Sequence, residues 1–133
     1  THWRAPWTTC AGFDGTVVYP GEVVDSAELA SYDKKIAEAL QPFTGYFDKD
    51  VMEKEISVAV KRAKELGLLL YCGEFGCYPT IDDKNRFNWY RDMIEIFHEN
   101  NIAWSHWNWK NDFPIVDDVN LKPVDDLIQI LTK

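Results

Sequence analysis

The chain has few cysteines, an excess of acidic over basic residues, and no long apolar run. Its three cysteines, Cys10, Cys72 and Cys77, lack CxxC spacing, and with only three histidines in the chain no metal site is expected. Buried free thiols are expected instead. No apolar stretch approaches the ~18 residues of a membrane span, so no membrane partner is expected. The formal net charge of −8 argues against nucleic acid and against anionic membrane surfaces as partners.

Two further signals are missing. The chain has no G-x-G-x-x-G loop, which argues against a doubly wound domain that binds a dinucleotide, and no cofactor is expected. Its start has neither the charged segment nor the apolar segment of a secretory signal peptide. The chain begins at Thr1 without an initiator methionine. We therefore expect it to be processed or part of a longer protein.

What is present is the composition of a globular domain rich in tryptophan. Of 133 residues, 46% are hydrophobic and 27% charged, which is typical of one folded unit spanning residues 1–133. The acidic charge is compatible with a neutral substrate such as a sugar, whose C–H faces pack on indole rings. Core packing is nevertheless the commoner role of any single tryptophan. The six tryptophans are Trp3, Trp7, Trp89, Trp104, Trp107 and Trp109.

The spacing of apolar residues predicts alternating helices and strands after an irregular start. Residues 1–32 are broken by proline and glycine, with a short strand at 16–19. Helices are predicted at about 33–40, 50–66 and 83–99 and from near Pro123, and strands at 68–73 and 102–107. Asp50 is the predicted cap of the long helix, and Gly67 its left-handed terminator. This order, with short connections, predicts a parallel α/β architecture.

A carboxylate closes the first of these strands. The run Leu68-Leu69-Leu70-Tyr71-Cys72 predicts a buried strand, and it leads to Glu74 between Gly73 and Gly76. A carboxylate at the tip of a buried strand is costly unless it is paired or used. Taken alone, a structural carboxylate bonded to loop amides is the commoner case. If the two strands are adjacent and parallel, Glu74 lies beside the end of the second strand, where Trp107 follows.

The ordered set of motifs resembles the C-terminal part of glycoside hydrolase family 5, the cellulase family of clan A. The resemblance covers nearly the whole chain and is strongest from about Leu68 to Asp117. It implies an α/β fold that is the last portion of a (β/α)8 barrel, about strands seven and eight with their helices. The matching segments are Gly73-Glu74-Phe75-Gly76, the helix with Arg86, Trp89 and Tyr90, the stretch Ile102–Lys110, and Phe113–Asp117; the opening Thr1–Trp7 resembles the segment after the sixth strand.

The resemblance assigns roles to single residues. The Glu that ends strand seven in that family is the nucleophile of retaining cleavage, and Glu74 matches it. Trp107 matches the sugar platform at the end of strand eight, while Trp3, Trp7 and His2 are expected to line further sugar subsites. The expected partner is cellulose or another β-linked polysaccharide. A secreted protein is implied.

One essential part of the family pattern is missing. The acid/base of the family lies in an Asn-Glu motif after the fourth strand, and this chain has no Asn-Glu pair. A whole (β/α)8 barrel takes ~250 residues. The isolated chain is therefore expected to be inactive, and to associate either with the N-terminal part of the barrel or with itself, because two strands leave open edges.

Other interpretations stay open at this stage. A tryptophan-rich domain that binds glycan without cutting it is the main alternative, and an autonomous α/β domain is a weaker one. Trp89 and Trp104 favour core packing, and His98 and His106 ordinary helix-surface and strand-interior positions. Arg86 and Tyr90 fit either support of the site or packing between helix and barrel. The acidic pairs at 82–83 and 117–118 fit caps and loops better than calcium ligands.

Overall fold

The strands and helices of this chain alternate from residue 49 onward, as predicted. A computed structural model describes residues 18–22, 24–117 and 119–133. The elements, in chain order, are β1 (Gly21–Glu22), α1 (Ser26–Leu29), α2 (Lys34–Leu40), a 3-10 turn (Gln41–Phe43), β2 (Tyr46–Phe47), α3 (Lys49–Leu66), β3 (Tyr71–Phe75), α4 (Asp83–Glu99), β4 (Ala103–His106) and α5 (Asp125–Leu131).

The long helices begin and end at side chains with identifiable capping roles. α3 is capped by Asp48, which accepts the Val51 N–H; the predicted cap Asp50 is wrong, because it lies inside the first turn. Gly67 ends α3 with a φ of 65°, in the left-handed region that glycine adopts most easily. α4 has the predicted bounds and is capped by Asp82.

The strands form two small sheets. β3 and β4 pair in parallel, with Tyr71 opposite Ala103, Cys72 opposite Trp104 and Phe75 opposite His106. β1 and β2 pair antiparallel. The expected parallel α/β unit is therefore present in β3, α4 and β4, whose helical crossover is the usual way to connect parallel strands.

The predicted bounds and burial of the first strand are partly wrong. β3 starts only at Tyr71 and includes Glu74 and Phe75, whereas residues 68–70 precede it. The side chain of Leu69 is 91% exposed, and Leu68 is exposed as well. The physical reason is that no described element covers this side of β3, so an apolar run suited to burial has nothing to pack on.

The core of the described residues lies around α4. Eight residues of this helix are buried, and Phe75 from β3 and Leu127 and Ile130 from α5 join them; the eight are Arg86, Phe87, Trp89, Tyr90, Met93, Ile94, Ile96 and Phe97. Trp104 packs against this cluster. The packing roles predicted for Trp89 and Trp104 are therefore confirmed.

Three further predictions can be compared with the structure only where their residues are described: those on the cysteines, on the strand near the start, and on membrane spans. Cys72 and Cys77 are buried thiols outside any disulfide, as expected, while Cys10 lies outside the described residues. Half of the predicted strand at 16–19 lies outside them too; Val18 and Tyr19, which are described, are not in a strand. Within the described ranges, no helix is both long enough and apolar enough to cross a membrane.

Among the glycines in the described ranges, Gly76 is the one where an added methyl group would meet the backbone most closely. A Cβ there would overlap the carbonyl oxygen of Trp107 and come within 2.7 Å of the Phe113 Cβ. We expect Gly76→Ala to lower the free energy of unfolding by at least ~2 kcal/mol, since the backbone itself must shift. Gly73→Ala is the matched control, because its Cβ meets only the Tyr71 ring at 3.6 Å. Urea unfolding measures both, and equal stabilities would contradict the close approach.

Candidate active site

The candidate site lies where β3 and β4 end side by side. Because the strands are parallel, their carboxyl ends meet at one edge of the sheet. Glu74 is the penultimate residue of β3, and Trp107 follows β4 directly. The Trp107 N–H donates to the Phe75 carbonyl at 2.8 Å, which joins the two strand ends beyond their last paired residues. The predicted adjacency of the Glu74 and Trp107 segments is confirmed.

A β-bulge determines which residue of β3 enters the core. Between the paired positions Cys72–Trp104 and Phe75–His106, β3 has two residues and β4 has one. The extra residue resets the alternation of side chains, so that Phe75 is on the same buried face as Cys72. In a regular strand the residue two positions after Cys72, which is Glu74, would occupy that face. The bulge thus leaves Glu74 half-buried at the strand end and gives the core a phenyl ring.

Trp107 is accessible at this edge. Its side chain is 43% exposed among the described residues, and that of Trp109 is exposed as well. The peptide bond between Trp107 and Asn108 is cis. The loop that follows is held by backbone bonds, with the Asn108 N–H donating to the Phe113 carbonyl at 3.1 Å and the Ile115 N–H to the Trp109 carbonyl at 3.2 Å. A partly exposed indole ring next to a loop held by such bonds is suited to stacking against a ligand.

A group of largely buried polar side chains contacts the ends of β3 and β4 from the side of α4. The Tyr90 hydroxyl accepts the Cys77 N–H at 2.9 Å and lies 2.9 Å from Nε2 of His106. Arg86 is only 3% exposed; it donates to the Pro114 carbonyl at 3.1 Å, and its guanidinium lies 5.8 Å from the centre of the Tyr90 ring. In the described part of the chain no carboxylate pairs with Arg86.

This environment determines the protonation of the buried groups. Burial, with the nearby positive charge of Arg86, lowers the pKa of His106 from 6.5 to about 4. Burial also raises the pKa of the Tyr90 hydroxyl and of the Cys77 thiol. All three groups are therefore uncharged at neutral pH, and Cys77 is not a reactive thiolate.

Not every residue predicted from the sequence can be located. Trp3, Trp7 and His2, the expected further sugar contacts, lie outside the described residues. His98 is on the helix surface, as predicted. His106 is in its strand as predicted, but its hydrogen bond to Tyr90 was not foreseen. The sequence does contain a signal for the buried polar group, because the i, i+4 spacing of Arg86 and Tyr90 puts both side chains on one face of α4.

Asp82 and Asp117, one residue from each acidic pair, have the structural roles that were expected. Asp82 caps α4, and Asp117 accepts the N–H groups of Val119 and Asn120 at 2.9 Å each. Those hydrogen bonds lower the pKa of Asp117. Among the described residues, no group of three or more His, Cys, Asp or Glu side chains could hold a metal ion.

Comparison with known proteins gives relatives over the whole chain. No protein-family model matches. Endoglucanase C of Acetivibrio thermocellus is 30% identical over 136 residues, which is 100% of this chain and 39% of that protein, and endoglucanase C307 of Clostridium sp. strain F1 has the same identity and coverage. The chain thus spans 39% of the length of these curated relatives.

The solved structures agree at the level of the fold. Thermotoga maritima Cel5A, crystallised in complex with cellobiose, matches with a TM-score of 0.61 and 19% identity, covering 80% of this chain and 36% of that chain. It is a (β/α)8 endoglucanase, so the described residues share the fold of part of such a barrel.

The half-buried His106 predicts a dependence of stability on pH. The unfolded chain takes up a proton at this residue near pH 6.5, whereas the folded protein does so only near 4. The unfolded state therefore binds more protons in this window, and stability falls as the pH is lowered through it, by on the order of 3 kcal/mol. In His106→Gln, which keeps an acceptor for Tyr90, this part of the dependence should vanish. His98→Gln is the control and should keep it; urea unfolding between pH 4 and 7 measures all three proteins, and parallel curves for wild type and His106→Gln would refute the expectation.

Proposed function

Because this chain corresponds to part of a cellulase of the glycoside hydrolase family 5 type, we propose that it is the C-terminal portion of a (β/α)8 catalytic barrel that cleaves β-1,4-glucan with retention. β3 and β4 are then strands seven and eight. The observation that carries the proposal is the juxtaposition of Glu74 with Trp107 at the carboxyl edge of two parallel strands. In (β/α)8 enzymes this edge is where active sites are built.

Glu74 is the proposed nucleophile. A carboxylate oxygen of Glu74 bonds to the anomeric carbon while the bond from that carbon to the leaving oxygen breaks, and a separate acid protonates the leaving oxygen. Water then attacks the anomeric carbon, gives its proton to the same acid/base group and releases Glu74. The half-buried position of Glu74 near the end of β3 supports this role, since the side chain is not part of the core.

The second carboxyl group must come from outside this chain. A retaining enzyme needs it ~5–5.5 Å from the nucleophile. The chain contains no Asn-Glu pair, the motif that would carry it. We infer that the remaining barrel supplies the acid/base, and that the 133-residue chain alone has little turnover.

Trp107 is the proposed platform for the sugar at the cleavage point. Its exposed indole supports stacking on a pyranose ring, whereas a core role would bury it. The net charge of −8 is compatible with a neutral polysaccharide. Solved relatives hold cellobiose and mannotriose, which supports a β-linked glucan or a related polymer as substrate. Since such a polymer does not enter cells, we propose that the complete enzyme is secreted.

The apolar surface around β3 supports association with the rest of the barrel. Exposed Leu68, Leu69 and Tyr71 lie beside a groove between α3 and β3 lined by Ile56, Leu70 and Phe97, among others. In the described part of the chain β3 and β4 pair only with each other, which leaves an open edge on each strand. A preceding barrel strand and its layer of side chains would cover both the edge and the leucines.

Glycan binding without turnover is the second candidate. It is favoured by the exposure of both Trp107 and Trp109 on one loop. It shares the platform with the first candidate but gives Glu74 no chemical role. Substitution of Glu74 therefore separates the two candidate functions, while substitution of Trp107 tests the platform that they share.

Glu74→Gln should abolish hydrolysis while keeping binding, because the amide is nearly isosteric but a poor nucleophile. With the chain combined with the remaining barrel, we expect the rate on a soluble β-glucan to fall on the order of 10³-fold or more. Glu53→Gln, another half-buried glutamate but on α3, is the matched control and should leave the rate within about threefold. Trp107→Ala should weaken glycan binding, measured by calorimetry. Full hydrolysis by Glu74→Gln, or retaining hydrolysis by the 133-residue chain alone, would contradict the proposal.

The isolated chain should self-associate through its apolar patch. We expect sedimentation velocity to show a concentration-dependent increase in mass, which Leu69→Lys reduces by placing a charge in the contact. Val119→Lys, at an equally exposed apolar residue outside the patch, is the control and should have no effect. Adding the remaining barrel should replace the homo-oligomer by a one-to-one complex. A monodisperse monomer that also fails to bind that partner would rule the association out.

A further inference from the structure

The hydroxyl of Tyr90 connects the segment of Glu74, the proposed nucleophile, with the segment of Trp107, the proposed sugar platform. It accepts the N–H of Cys77, three residues after Glu74, and contacts Nε2 of His106, one residue before Trp107, at 2.9 Å each. Strand pairing ends at Phe75 and His106. Beyond that point, the Trp107–Phe75 backbone bond and this bridge join the two ends.

Tyr90 is itself held rigidly. Its ring is completely buried and packs edge-on against Phe75 at 5.9 Å and Trp89 at 5.1 Å between ring centres. Arg86 stacks near the same ring and donates to Pro114 in the loop after β4. A hydroxyl fixed in this way transmits the position of α4 to both strand ends.

The bridge can form with either neutral tautomer of His106. The Tyr90 hydroxyl accepts the N–H of Cys77 and has a single proton to donate. It donates that proton to Nε2 when His106 carries its own proton on Nδ1, and it accepts from Nε2 when the proton is there. The lowered pKa of His106 keeps the ring neutral and able to accept at pH 7.

We propose that Tyr90 is a positioning residue whose hydroxyl sets the relation between Glu74 and Trp107. The inference rests on the function proposed above, because it takes those residues as nucleophile and platform. A displacement of about 1 Å between a reacting group and its substrate can cost about 10²-fold in rate. Loss of the hydroxyl should therefore lower kcat much more than it changes KM.

The test compares Tyr90→Phe with Tyr78→Phe. Both substitutions remove one hydroxyl, but Tyr78 packs its ring on Phe113, and its hydroxyl has no hydrogen bond to any of the described residues. In the 133-residue chain, we expect the Cys77 amide to exchange with deuterium at least tenfold faster in Tyr90→Phe than in Tyr78→Phe. Amides of α3 should exchange alike in both, which excludes a general loss of stability.

The kinetic arm uses the chain combined with the remaining barrel. We expect Tyr90→Phe to lower kcat about 10²-fold with KM within threefold of wild type, and Tyr78→Phe to leave both unchanged. Unchanged Cys77 exchange, or a kcat equal to that of Tyr78→Phe, would overturn the positioning role. A wild-type assembly without hydrolysis would refute the proposed function instead, and the exchange measurement would still decide whether Tyr90 holds the two segments together.

Discussion

The burial of Phe75 is the contact on which the rest of the candidate site depends. Its ring is fully buried and lies 5.1–6.3 Å from the ring centres of Trp89, Tyr90, Phe97, Trp104 and His106. Three of these rings belong to α4 and two to β4, so one side chain aligns both elements with β3. A fully buried aromatic residue contributes several kcal/mol, which is enough to hold β3 in its register.

From this anchor, the sheet divides into a packed and an open face. Cys72 and Phe75 face α4, while Tyr71 is exposed on the opposite side and its hydroxyl hydrogen-bonds to that of Ser105. At the strand ends Arg86, Tyr90 and His106 satisfy one another only in part, since Nε of Arg86 is buried without a hydrogen-bond partner among the described residues. Incomplete pairing of buried polar atoms is unusual in a finished core and common beside functional sites.

The sequence predicted those features that depend on local spacing. The 3.6-residue pattern gave α4 its bounds, and the left-handed preference of glycine predicted the end of α3 at Gly67. It could not predict the cap at Asp48 over Asp50, because both residues are capable of capping and tertiary packing decides between them. Nor could it predict the bulge or the exposure of Leu69, since each depends on what packs against the strand rather than on the strand itself. The contact between Tyr90 and His106 depends likewise on how α4 lies against β4.

The bulge makes chain length, as well as residue identity, a requirement of this site. The two residues between Cys72 and Phe75 stand opposite the single Ser105. Deleting either Gly73 or Glu74 would restore regular pairing of β3 with β4, and Phe75 would still face the core on the same side as Cys72. The strand would lose the bulge that leaves the Glu74 carboxylate at its end. An insertion there would place three residues opposite Ser105 and enlarge the bulge between the two anchoring positions. Any related sequence that keeps this chemistry must therefore avoid insertions and deletions in this interval, even where it varies the residues around it.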